Sequence, residues 1–177
     1  MARLLGVLAA LQLSFEPQAV RWVHQIPEGF SGFVTIVFSA PNGEKTFRVD
    51  AQARTFEGDR LFEIPESGVL FAAEPIDRYR RDEYILVSRT GTRQRLPVLP
   101  LSRADEVDDL LKSWRTPAVT VSMELGGRIG PPDCRLPFVR YFVGTLVETQ
   151  RQLERQHGPI SDAASLDLIR AQIACPK

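Results

Sequence analysis

The sequence predicts a mainly β fold: an antiparallel β-sandwich, immunoglobulin-like or prealbumin-like, with two or three helices added in the C-terminal half. Three observations predict it. Short apolar or alternating runs are bounded repeatedly by glycine and proline. Strand-like runs follow one another without the alternating helices of a parallel α/β sheet. A helical period emerges only from Ser102 onward.

Val20 to His24 alternates, with Val20, Trp22 and His24 on one side, as in a first strand. In IPEGFSGFVTIVF (26–38), Pro27 fixes φ, Gly29 and Gly32 permit turns, and Phe33 to Phe38 is strongly β-prone. Ala40-Pro41-Asn42-Gly43 signals a turn, and Lys45 to Val49 reads as the return strand of a hairpin. The stretch RLFEIPESGVLFA (60–72) repeats the logic of the first: a proline ends one strand and a glycine turns the chain into the next. It is too short to announce a repeat architecture. Glu74 to Glu83 is polar and arginine-rich and reads as a loop. Tyr84 to Ser88 and Arg93 to Leu99 form a hairpin about the turn Arg89-Thr90-Gly91-Thr92.

Helical spacing then appears. Val107, Leu110, Leu111 and Trp114 fall on one helix face, with Ser102 as N-cap and Asp105 and Glu106 at the positive end of the dipole. Ala118 to Leu125 and Leu136 to Val143 are strands parted by the Gly/Pro stretch 126–133. Leu146 to His157 reads as an exposed helix or one-sided extension, ending at Gly158-Pro159. Ser161 caps a last short helix with Leu166, Ile169 and Ile173 on one face.

The 177 residues suffice for one domain with its own core. We divide the chain into a leader, 1–19, and a single domain with a C-terminal helical extension, 20–177. Arg3 followed by apolar Leu4 to Leu13 fits a secretory signal and is too short to span a bilayer. Cleavage after Ala19 is expected, although Pro17-Gln18-Ala19 is a poor small-residue site. The alternative is a short buried element of a cytoplasmic protein. Export predicts a secreted or periplasmic protein with no membrane span in the mature chain, and no cysteine follows the apolar run to carry a lipid.

Composition narrows the function classes. Apolar residues are 44% and charged residues 25%, ordinary values for a globular domain. Lys+Arg and Asp+Glu are 22 each, so net charge is zero and no general attraction to nucleic acid is expected. Lysine occurs only at Lys45, Lys112 and Lys177; the rest of the positive charge is arginine. That bias suits bidentate anion recognition or reflects GC-rich codons.

Signatures of catalysis are missing. Gly29 and Gly32 precede a strand, whereas a phosphate-cradling loop requires a helix start. His24 and His157 have no second ligand at helical spacing, and no Cys-x-x-Cys exists, so no metal or other cofactor is predicted. No G-x-S-x-G elbow is present. Paired carboxylates, Asp82-Glu83 and Asp108-Asp109, read as charged surface. A hydrolase site would have to be assembled from distant residues such as His24, Cys134 and Glu148. The strongest positive feature is arginine density: Arg78, Arg80, Arg81, Arg89, Arg93 and Arg95 fall within one loop and one hairpin, a candidate anion-binding face. The competing reading is a solvated edge neutralised by Asp77, Asp82 and Glu83. Cys134 and Cys175 are compatible with one disulfide, worth about 4 kcal/mol in the chain-entropy model.

Four stretches in order, IPEGFSGFVTIVF (26–38), RLFEIPESGVLFA (60–72), GTRQRLPVLP (91–100) and YFVGTLVETQRQ (141–152), carry a resemblance. Together they resemble an uncharacterised bacterial family of exported β-rich domains, marked by Ile-Pro-x-Gly-aromatic-x-Gly and Phe-Val-Gly-Thr. The resemblance implies export and a β fold, and no catalytic residues. The function expected is a non-enzymatic binding or structural module with an envelope or extracellular partner.

Overall fold

A computed structural model describes residues 20–44, 47–48, 59–77, 79–99, 119–156 and 169–173. The expected leader, the helix over 102–114, the Ser161 cap, Leu166, His157 and Cys175 lie outside the described residues.

The strands are β1 (Val20–Pro27), β2 (Gly32–Val37), β3 (Phe47–Arg48), β4 (Arg60–Glu63), β5 (Val69–Phe71), β6 (Arg80–Val87), β7 (Arg93–Arg95), β8 (Val98–Leu99), β9 (Val119–Ile129) and β10 (Leu136–Thr145), followed by helix α1 (Leu146–Gln156). They form two sheets, ordered β3-β4-β1-β6-β7 and β5-β2-β10-β9-β8. The sheets enclose one core: Trp22, Ile26, Phe62 and Tyr84 from the first meet Val34, Ile36, Val139 and Tyr141 from the second. The mainly β, two-sheet expectation therefore holds.

The pairing departs from the antiparallel expectation. β1 runs parallel to β4 and β6, and β2 runs parallel to β5. The cause is the similarity between the two Ile-Pro stretches. Each carries the chain from the first sheet to the second through a proline–glycine turn. Phe30 N–H donates to Pro27 O at 3.1 Å in one turn, and Gly68 N–H to Pro65 O at 2.9 Å in the other. The two arches lie side by side, so Gln25 stands opposite Glu63 and Ile36 opposite Leu70. Ile26 and Ile64 are both buried where the chain turns. Gly68 has φ 72°, and a Cβ there would sit 2.3 Å from Phe33 O, so the second arch needs glycine at its turn.

Two further expectations are corrected. β3 pairs with β4 and not with β2, so the hairpin expected at Ala40–Gly43 is instead a crossing between sheets. β6 begins at Arg80, inside the segment read as a loop. Its charged start is held because every residue from Arg80 to Val87 pairs with β1, and its charges meet partners on both faces.

The far face of the second sheet is also covered. Val37 and Ile129 pack with Ile169 and Ile173, two of the three residues the sequence placed on one helix face. Helix α1 packs against β10 and β9. It opens on a capping box: Thr145 N–H and Oγ1–H donate to Glu148 Oε2 at 2.7 and 2.9 Å, and Glu148 N–H donates to Thr145 Oγ1 at 3.3 Å. The Thr145 amide chiefly holds the Glu148 carboxyl below its ordinary value; burial opposes this, and the Thr145 and Ser31 hydroxyls and the Arg151 charge add to it. The Phe-Val-Gly-Thr stretch is thus a strand end that becomes a helix cap.

Candidate functional site

The most concentrated chemistry lies between the sheets. β1 alternates, so Trp22 and His24 face inward together, and β6 places Arg80, Asp82 and Tyr84 on the same side. His24 is 0% exposed. Its Nε2 lies 3.1 Å from Asp82 Oδ1 and its Nδ1 3.0 Å from Tyr141 Oη on the opposite sheet. An ionised Asp82 accepts from Nε2–H; in the neutral ring Nδ1 then accepts from the tyrosine hydroxyl. The ring stacks on Tyr84 and Phe62, with centroids 4.6 and 5.2 Å away.

The network continues outward. Arg80 Nε donates to Asp82 Oδ2 at 3.1 Å, and its guanidinium lies over the Trp22 ring at 4.7 Å. Trp22 Nε1–H donates to Asp77 Oδ2 at 2.9 Å, and Arg60 closes on Asp77 at 3.2 Å. Burial raises the pKa of Asp82, but the hydrogen bond from His24, its charge when protonated, and Arg80 outweigh burial and hold the carboxyl below its ordinary 3.8. Neither the cleft at the β9–β10 turn nor the smaller one beside Ala40 and Ile173 is lined by His24.

The sequence candidates scatter. Arg80 points into this network. Arg81 sits opposite Arg21 at one end of β6, while Arg93 sits opposite Val87 at the other, roughly 20 Å away at the strand rise. Arg95 approaches Glu83 at 3.7 Å, and Glu83 is also held by Arg21. Arg89 lies in the turn, where its amide donates to Glu28. Arg78 is outside the described residues. His24, Cys134 and Glu148 are not brought together: they occupy the inter-sheet core, the β9–β10 turn and the start of α1. Cys134 packs with the Ile129–Ile173 cluster as a free thiol, and Cys175 lies outside the described residues.

Sequence reasoning missed one concave surface. The β9–β10 turn and the helical residues 169–172 border a cleft of about 620 Å³ lined by Arg128, Arg135, Arg170, Pro131 and Pro132. The Gly/Pro composition of 126–133 marked the turn, but nothing local announced that Ile169 and Ile173 would dock beside it. Among the described residues, no group of His, Cys, Asp and Glu could hold a metal ion, and no helix is long and apolar enough to cross a membrane.

Neither a protein-family model nor a curated protein matches the chain. One solved structure, "Putative Lipoprotein from Bacillus anthracis", is similar at 14% identity and TM-score 0.46, over 70% of this chain and 68% of that one.

Proposed function

We propose that the chain is a non-enzymatic binding or structural module of the bacterial envelope, exported to meet an envelope or extracellular partner. His24 carries the non-enzymatic half of this reading. The side chain best suited to acid–base work near neutral pH is sealed in the core, with one ring nitrogen bonded to Asp82 in its own sheet and the other to Tyr141 on the opposite sheet. Its chemistry is that of a bolt between layers. The envelope half is supported by Arg3 and the apolar run Leu4 to Leu13, and by the resemblance of the four stretches to exported β-rich domains.

Intact mass of the native protein from fractionated cells tests the reading. A chain beginning near Val20 in the periplasm or medium is expected. A full-length cytoplasmic chain overturns export.

A second reading is anion binding by the β6–β7 arginines. It is favoured by the exposure of Arg81, Arg89, Arg93 and Arg95 on one strand pair and its turn. Polyanion binding that weakens with salt and with loss of these side chains is its signature.

A further inference from the structure

We propose that the cleft beside the β9–β10 turn binds a phosphate-class oxyanion bearing at least two negative charges; this deepens the binding-module reading and rests on it. The first ground is charge. Arg128, Arg135 and Arg170 line the cleft together. Among the described residues, no carboxylate pairs with Arg128 or Arg135. The turn's own acid, Asp133, is exposed and forms no ion pair with either. Arg128 and Arg135, side by side without a carboxylate, repel, and an anion placed between them relieves that repulsion.

The second ground is preorganisation. Arg128 Nε and Nη2 both donate to Arg135 O, at 3.3 and 2.8 Å, which fixes one guanidinium across the hairpin. Pro131 and Pro132 stiffen the turn, and Cys134 N–H closes it on Pro131 O at 3.0 Å. Gly130 has φ 130°, and a Cβ there would lie 2.2 Å from Cys134 O. Buried Ile129 anchors the hairpin to Ile169 and Ile173, which positions Arg170. Little order remains to be gained on binding, so little entropy is lost.

The third ground is shape. A planar carboxylate matches one guanidinium fork, whereas a tetrahedral phosphate offers oxygens to more than one fork. The cleft volume, about 620 Å³, lies in the range of small-ligand sites.

The phosphate could belong to a free ligand or to a lipid headgroup, and two arms separate these. One titrates the full chain with pyrophosphate by calorimetry at low ionic strength. The other measures cosedimentation with phosphatidic acid vesicles, whose phosphomonoester headgroup can carry two charges. Both compare wild type with R128Q/R135Q, with R135Q alone, and with R93Q/R95Q. Thermal melting checks each fold; R135Q removes a guanidinium with no structural hydrogen bond among the described residues. Binding weakened roughly tenfold or more in R128Q/R135Q, and partly in R135Q, is expected. In the pyrophosphate arm that result assigns a free ligand, and in the vesicle arm a headgroup. Binding of neither probe by wild type overturns the inference. So does binding that survives R128Q/R135Q, or that is lost only in R93Q/R95Q; those results leave the exported-module reading standing, because protein mass and location decide that separately.

Discussion

Replacing His24 by phenylalanine tests whether the inter-sheet network stabilises the fold. The substitution keeps a flat ring between Tyr84 and Phe62, so packing changes little. What is lost are the bonds to Tyr141 Oη and Asp82 Oδ1. Tyr141 is 0% exposed, so desolvating its hydroxyl without His24 costs about 1–3 kcal/mol. Asp82 keeps Arg80 and a side-chain exposure of 16%, so its loss is smaller, about 1 kcal/mol. The single variant is expected to lose about 2–4 kcal/mol, a large share of an ordinary domain's stability. Adding Tyr141→Phe removes the hydroxyl that lost its His24 bond and should recover about 1–2 kcal/mol relative to the sum of the single losses. Urea unfolding of wild type, both singles and the double, with unchanged m values, measures this. Additivity within about 0.5 kcal/mol would falsify the coupling across the core.

Other consequences are as direct. Asp82 has a depressed folded pKa, so its contribution is complete above its ordinary 3.8 and is lost as pH falls through the folded value. Asp82→Asn should therefore be less stable than wild type at neutral pH, with the gap closing in acid; a gap constant down to about pH 2.5 contradicts the ion-pair account. Thr145→Ala removes the capping hydroxyl and should cost about 1 kcal/mol in urea unfolding, whereas no loss would mean α1 is held by packing alone. Ile173 packs in one cluster with Cys134, and Cys175 follows two residues later, roughly 7 Å of chain. Cys134 is a free thiol in the structure, so it should be alkylated without prior reduction; resistance to alkylation until reduction would show a disulfide instead.

Much of the fold was legible because its signals are local. Alternation revealed β1, β-branched residues revealed β2, and Gly/Pro punctuation marked both Ile-Pro turns. The β6–β7 pairing followed from strands joined by turn residues, whereas Gly126 to Ile129, read as part of the stretch between strands, extends β9 and pairs with β10. The charged start of β6 did not read as strand, because Arg80 and Asp82 are tolerable there only beside Trp22 and His24 of another strand. The capping box at Thr145 and Glu148 is present in the spacing, but the mostly polar helix after it gives no apolar run to mark it as a helix start.

The sequence by itself determined where the chain turns, because a turn depends on φ freedom at Gly29 and Gly68 and its loss at Pro27 and Pro65. It also determined the β character, which depends on side-chain branching and alternation. Only the tertiary structure decided that the two arches stack in parallel, since strand pairing is set by which apolar faces can be buried together. The same holds for the sites. A histidine becomes a bolt, and distant arginines become a cleft, only when packing elsewhere removes water from one and leaves it at the other.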